Sequence, residues 1–308
     1  MTENFEPILE SYKKAGKAVI AARKLAKKIV KPGALFLDIA NQCETEIVNN
    51  GAKLSFPINM SLNEVAAHYS PPIDDTTVVP EDGLLKIDLG SHVNGYIADS
   101  AFTINLGEDS NLQNYIDAAA EGLEAAIELF KPGTRLYELG EVIAEKIIIR
   151  GLKPITNLGG HELKQFNLHA GPFIPNYKEK RHAETLKPGD AYACEPFSTS
   201  GAGTVMNGKQ SYIYRFVKKN KKNMGYEEQN YMNKIENYCG RLPFSPRFLE
   251  NNQIVPKNKI QRTIDSFLRK KILDHYPILI ERTHALVAQQ EHTIVIDMDG
   301  NTIVTTKE

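Results

Sequence analysis

The sequence predicts an α+β domain built from two similar halves, with a basic, partly helical segment set into it, and three observations predict this. Apolar residues recur at helical spacing over 8–30 and again over 36–51. That pattern, with its Lys-Pro-Gly break and closing glycine, returns one hundred residues later. Each copy then leads into short β-rich runs that carry a single carboxylate.

In chain order, Ile8, Tyr12, Ala15, Val19, Ala22 and Leu25 fall on one helical stripe, with lysines on the other faces. Lys31-Pro32-Gly33 stops that helix, and Phe36, Ile39, Cys43 and Ile47 carry a second one to Gly51. In the repeat, 121–130 is helical, Lys131-Pro132-Gly133 breaks it, and Leu136, Leu139, Ile143 and Ile147 run on to Gly151. Lys53 and Lys153 each open an extended, Pro-containing stretch. VPEDGLLKIDLG at 79–90 then matches LKPGDAYACEPF at 186–197 in pattern: a Pro/Gly/Asp turn, then an apolar strand with one acid, Asp88 or Glu195. A period this long is not that of a solenoid; it indicates an internal duplication, with a pseudo-dyad on which residues of both halves can converge. LLKIDLG and GYIADSAF, within 84–102, form a hairpin across a Gly/Ser/Asn-rich turn, and 290–307 forms a second across an Asp-Gly turn. Ile260, Ile264, Phe267, Leu268 and Ile272 predict a helix over 259–273.

Composition limits the function classes. A chain of 308 residues that is 42% hydrophobic and 24% charged has the balance of a globular protein, which excludes a disordered one. No run approaches the ~18 apolar residues of a membrane span, and the opening residues are acidic and polar where a secretion signal is basic and then apolar. A cytoplasmic protein without a membrane or DNA partner is expected. Cys43, Cys194 and Cys239 lack paired spacing, so buried thiols are expected and not a disulfide framework or a cysteine zinc site. Of 37 Lys+Arg and 38 Asp+Glu, 15 and 5 lie between Lys209 and Lys271, which leaves 22 against 33 in the rest. Such a basic segment, with its Lys218–Lys222 cluster, is either a solvated insertion or a docking surface for an RNA-rich particle such as a ribosome.

The first hairpin contains two aspartates. Closed about Val93 and Asn94, it would set Asp88 directly opposite Asp99, with Cβ atoms roughly 4.5–5.5 Å apart. Carboxylates that close repel unless a proton or a metal ion lies between them; the alternative is a solvated hairpin with two exposed acids. Glu195, Glu291 and His161 of LGGHEL extend the set. Four carboxylates on apolar strands are hard to bury without cations, and one dinuclear metal site accounts for all of them. Oxygen donors with one imidazole suit Mn, Fe, Co or Zn. His92, His182, His275, His284 and His292 are read as structural, with His292 on the strand face opposite Glu291.

These motifs carry a resemblance. KIDLGSHVNGYIADSAF, GGHEL, ACEPFSTSGAG and QQEHTIVI, together with SFPINMSLNEVAAHYSP and NLHAGPFIP, resemble those of the type 2 methionine aminopeptidases of the archaeal kind, within the pita-bread metallopeptidase family, over almost the whole chain. The resemblance implies the pita-bread (creatinase/aminopeptidase) fold with two pseudo-symmetric halves. It also implies two divalent ions (Co, Mn, Fe or Zn) and a hydroxide between them that removes the N-terminal methionine from peptides and nascent chains with a small second residue. Asp99, His161, Glu195 and Glu291 would hold one ion, and Asp88, Asp99 and Glu291 the other. Glu195 would carry the proton, His169 would donate to the developing oxyanion, and His68 would sit near the scissile nitrogen. Phe56, Leu168 and Tyr276, with His68 and His169, would bind the substrate.

By the same resemblance, 203–270 is the helical insertion of the type 2 enzymes within a single 1–308 catalytic domain. Its early part, TVMNGKQSYIYRF, lacks a histidine that some relatives place near the pocket. The chain also lacks the charged N-terminal extension of eukaryotic relatives, so any ribosome contact falls to the body or the insertion. Prolidases and X-Pro aminopeptidases share the fold and the ligands, but usually carry a separate N-terminal domain, for which the stretch before the first strands is too short. A catalytically silent ribosome- or RNA-binding relative would have lost ligands, and all five are present.

Overall fold

A computed structural model of the chain describes residues 5–220 and 224–308; part of the N-terminal stretch read above, and Lys221 and Lys222, lie outside them. The first half runs α1 (Glu6–Ile29), α2 (Phe36–Asn49), β1 (Lys53–Leu54), β2 (Asn59–Leu62), β3 (Val65–Ala67), β4 (Leu84–Val93) and β5 (Tyr96–Asn105). The second runs α3 (Ser110–Leu129), α4 (Leu136–Ile149), β6 (Lys153–Pro154), β7 (Gly159–Glu162), β8 (Phe173–Pro175), β9 (Ala191–Cys194) and β10 (Phe197–Thr199). Then follow β11 (Val205–Phe216), α5 (Tyr226–Cys239), α6 (Pro246–Asn251), α7 (Lys257–Arg269), β12 (Leu273–Glu281), β13 (Val287–Gln289), β14 (His292–Ile296) and β15 (Thr302–Val304). Among the described residues no helix is long and apolar enough to cross a membrane.

The duplication is visible bond by bond. Gly33 and Gly133, at φ 81° and 92°, each donate a backbone hydrogen bond to a later loop segment, to Val79 O and Leu186 O. Phe36 and Leu136, the first helical residues of α2 and α4, donate likewise to Thr77 O and Glu184 O. Gly51 and Gly151, at φ 80° and 76°, close the two helices in the left-handed conformation that glycine adopts without steric penalty. β2 pairs antiparallel with β4, and β7 pairs antiparallel with β9. Asn59 faces Asp88 in the first pair, and the register of the second, continued past His161↔Ala193, sets Gly159 against Glu195. Asp88 and Glu195 are therefore equivalent positions of the two halves.

Local differences from the sequence reading have physical causes. The buried face of α1 is Leu9, Tyr12, Ala15, Val19, Ala22 and Ala26, turned slightly from the expected stripe, so Ile8 and Leu25 are only half-buried. Small residues dominate that face because α1 lies directly on β4 and β5. α3 starts eleven residues before 121, at Ser110, where the Asp109 side chain accepts from Asn111 N at 2.8 Å and caps the helix. The 203–270 segment is not helical throughout. Its first part is β11, which pairs with β12, and the helix over 259–273 ends at Arg269 because Leu273 begins β12. β11, α5, α6, α7 and β12 enclose a core of their own around Met232, Phe244, Leu249, Ile264 and Phe267.

The two halves are joined beside β5. Glu291 N donates to Ala101 O at 2.9 Å, and Thr293 Oγ1 and Asp99 exchange hydrogen bonds at 2.7 and 2.8 Å. Thr103 and Gln289 do the same at 2.7 and 2.8 Å. The segment from β13 to β14 thus lies against the strand that carries Asp99.

Candidate metal centre

Asp88 and Asp99 are not directly opposite each other. The turn of the first hairpin is Asn94-Gly95, at φ 53° and 88°, the double left-handed turn that Asn-Gly favours, and so the register is Asp88↔Ala101 and Gly90↔Asp99. Moving the turn by one residue makes the aspartates diagonal neighbours on one face, with somewhat more than the expected 4.5–5.5 Å between them. Gly90, opposite Asp99, leaves room for the Phe56 ring; a Cβ there would collide with it.

The remaining donors arrive from the other half. His161 projects from β7, Glu195 follows β9, and Glu291 sits between β13 and β14. His161 Nε2 lies 3.6 Å from Asp99 Oδ2 and 3.9 Å from Glu195 Oε1, and Asp99, His161 and Glu291 offer donor atoms all within 4.8 Å of one another. All five side chains line one cleft of about 310 Å³. Phe56, His68, Leu168, His169 and Tyr276 line the same cleft, so every site residue named from the sequence is in one place. The His161 and His169 rings are 4.4 Å apart, His169 lies 5.9 Å from Tyr276, and Tyr276 lies edge-on to His68 at 5.5 Å.

The electrostatics of the cleft oppose charge in the absence of cations. Burial lifts the Asp88 carboxyl from the usual 3.8 to about 7. Asp99 stands well above its ordinary value, first through burial and then through the negative charges of Asp88 and Glu195. Glu195 is raised by burial and by Asp88, and Glu291 by burial and by Asp99, Glu195 and Asp88. Burial also lowers His161 to about 4 and His68 below 6.5, while His169 falls well below 6.5 through burial and its proximity to His161, His68 and Arg215. Asp88 Oδ1 and Asp99 Oδ1 are buried with no hydrogen-bond partner among the described residues. Empty acceptors, four mutually repelling acids and an imidazole nitrogen facing them fit divalent cations, which favour the charged carboxylates and the neutral ring together.

Sequence reasoning missed several residues in the cleft and behind it. Gln289 Nε2 donates to Glu195 Oε2 at 3.2 Å and to Glu291 Oε2 at 3.3 Å, tying two acids together. Its place two residues before Glu291 on an extended segment was a usable signal. Arg23, buried on α1, bonds Ser100 Oγ and Glu291 O and lies over the Phe102 ring; a helical lysine/arginine pattern does not mark it. Asn59 becomes visible only through its pairing with Asp88, and Ile213 and Pro243 only through the fold of 203–270. His292 lies outside the cleft, its Nδ1 2.9 Å from Thr306 Oγ1.

A duplicated α+β core with a cleft of carboxylates and histidines where its halves meet defines a pita-bread metallopeptidase. The chain belongs to metallopeptidase family M24, whose model matches residues 10–237, and within it to the archaeal-type methionine aminopeptidases. A methionine aminopeptidase of Saccharolobus solfataricus is 42% identical over 293 residues, which is 95% of this chain and 96% of that protein. Two solved structures share the fold. A thermophilic Arx1 has a TM-score of 0.84 at 16% identity, covering 97% of this chain and 90% of its own. A methionine aminopeptidase of Thermotoga maritima has a TM-score of 0.69 at 23% identity, covering 97% and 96%.

Proposed function

We propose that this chain hydrolyses the first peptide bond of peptides and nascent proteins that begin with methionine and have a small second residue, using two divalent ions held by Asp88, Asp99, His161, Glu195 and Glu291. The observation that carries this reading is the convergence of those five donors, from both halves, in one cleft walled by histidines and apolar side chains. Divalent ions there, whether Co, Mn, Fe or Zn, would supply Lewis acidity and lower the pKa of water enough to provide a nucleophile at neutral pH.

The chain's own groups do the rest. Gln289 holds Glu195 by one oxygen, and the other, facing His161, is placed to take a proton from the attacking water and hand it to the leaving amine. His68 Nδ1 lies 3.0 Å from Pro277 O and donates to it, so the neutral ring presents a bare Nε2 that can accept the scissile N–H. His68 keeps this position at φ 70°, a strained conformation for a non-glycine residue. His169, kept neutral, offers an N–H to the carbonyl oxygen as negative charge develops on it. Phe56, Leu168 and Tyr276 give the methionine side chain an apolar wall.

Metal-free protein reloaded with Mn or Co should release methionine from Met-Ala-Ser. Cleavage of Ala-Pro without cleavage of Met-Ala-Ser would replace this reading with that of a proline-specific peptidase. For the ribosome as partner, the support is charge: Glu227, Glu228, Glu236 and Glu250 are paired with lysines of the 209–271 segment and Arg247 is buried against Glu44, while Lys218, Lys234, Arg241, Arg262, Arg269 and Lys271 are exposed. Replacing Lys218, Lys234 and Lys271 with serine should weaken co-sedimentation with ribosomes and leave peptide hydrolysis unchanged; unchanged sedimentation makes them solvated residues only.

A further inference from the structure

We propose that Asn59 recognises the free α-amine of the substrate, its side-chain oxygen accepting one of the amine N–H bonds. The proposal rests on the aminopeptidase reading above and adds to it the group that reads an unblocked N-terminus. Asn59 lies on β2 directly across from Asp88 on β4, so the two side chains share a face, and both line the cleft. Only 4% of Asn59 is exposed. Its Nδ2 donates to Pro57 O at 3.1 Å, which fixes the orientation of the amide and turns Oδ1 away from that bond. Oδ1 has no hydrogen-bond partner among the described residues.

A buried acceptor left empty is costly, and its neighbour Asp88 brings more acceptors and no donor as a carboxylate. The donor has to come from what enters the cleft. A peptide with N-terminal methionine brings two sources of N–H near its scissile bond, the α-amine and the scissile amide. The amide belongs beside His68, which offers the bare Nε2. The amine, with several N–H bonds and basic character, suits a carboxylate and a carboxamide oxygen side by side. An N-formyl or N-acetyl group would remove N–H bonds and set a carbonyl oxygen against Oδ1, so the same atom that accepts a free N-terminus rejects an acylated one.

The test uses metal-loaded protein, with metal content measured for every variant. Binding of L-methionine is compared with that of 4-(methylthio)butanoic acid, the same molecule without its amine. Asn59→Leu keeps the shape without the acceptor, and Asn59→Asp keeps the acceptor. The Leu variant should bind methionine about 10–100-fold more weakly, the range for a hydrogen bond involving a charged or polarised group, while its affinity for the des-amino acid stays within about twofold of wild type. The kcat/KM for Met-Ala-Ser should fall by a similar factor, and the Asp variant should retain the preference for methionine. Should Asn59→Leu not fold, Asn59→Ala takes its place with the same expectation. Equal losses for both ligands, an unchanged ratio, or loss of metal from the Leu variant would overturn the proposal. Wild-type protein that neither binds methionine nor cleaves Met-Ala-Ser would instead overturn the aminopeptidase reading itself.

Discussion

Arg247 on α6 is 2% exposed, and its guanidinium is fully engaged. It donates to Glu44 Oε1 and Oε2 on α2, both at 2.8 Å, to Asn41 Oδ1 at 3.0 Å, to Pro71 O at 2.7 Å and to Ser70 Oγ at 3.4 Å. Glu44 Oε1 also accepts from Ile58 N at 3.2 Å, so the network runs from the 203–270 segment to the residue before Asn59. Arg247→Met fills similar space but leaves Glu44, itself 6% exposed, without its cation. Breaking one side of a buried pair costs about 3–5 kcal/mol, whereas replacing both sides with apolar residues is near neutral or stabilising. With about 2.1 cal/mol/K of unfolding entropy per residue over 308 residues, that loss lowers the melting temperature by roughly 5–8 °C. Thermal melts of wild type, Arg247→Met, Glu44→Leu and the double variant measure it. The double variant should melt above either single one; a single variant within about 1 kcal/mol of wild type, or a double variant no better than the singles, would refute the reasoning.

Three further outcomes are expected. Glu281 is wholly buried, and although burial disfavours its charge, hydrogen bonds from Thr283 Oγ1 and N, Ala285 N and Ala202 N outweigh that and hold its pKa below the usual 4.5. A lowered carboxyl stabilises above 4.5 and loses that contribution as pH falls through its folded-state value, so Glu281→Gln should cost about 2–4 kcal/mol at pH 7, with the gap closing on acidification. A gap that is the same at pH 7 and pH 3 would contradict this. The four acids of the cleft shift the other way: without cations their contribution is complete at low pH and, for Asp88, is lost as pH rises through about 7. Added Mn should therefore raise the melting temperature more at pH 7.5 than at pH 5.5, and equal increments would separate the ions from these carboxyls. His161→Ala and Glu195→Gln should each lower turnover on Met-Ala-Ser by about 10²–10⁴-fold, and near-normal rates would remove them from the site.

What could be read from the sequence about the fold was what recurs. Lys-Pro-Gly, a helix of fixed length, a closing glycine and an acid-bearing strand are each weak signals, but their repetition in one order identified the duplication before any contact was known. The structure explains why they recur: Gly33 and Gly133, Phe36 and Leu136 make the same hydrogen bonds in each half. What could not be read was what depends on a unique neighbour. β11 is polar and exposed along much of its length, and becomes a strand because β12 pairs with it. The stripe of α1 is turned because Leu9 and Ala26 meet other elements that no local pattern records.

The site divides along the same line. Acids on apolar strands announce themselves, because an isolated carboxylate there would be unstable, and Asp88, Asp99, Glu195 and Glu291 stood out for that reason, with His161 joining them through the GGHEL motif. Their arrangement did not follow from spacing alone. A turn displaced by one residue, set by the left-handed preference of Asn94-Gly95, changed Asp88 and Asp99 from direct to diagonal partners while leaving both on one face. Period-two alternation protects the face of a strand residue from a paired shift in register, but not its exact partner. Neutral residues that serve the charged ones carry at most a weaker signal, such as the spacing of Gln289 two residues before Glu291. Gln289 and Asn59 look like ordinary strand amides until the cross-strand partners are known, and then one holds two carboxylates while the other faces the cleft with an empty acceptor. In this cleft the charged groups follow from their chemistry, whereas the placement of the neutral side chains beside them is determined only by the fold.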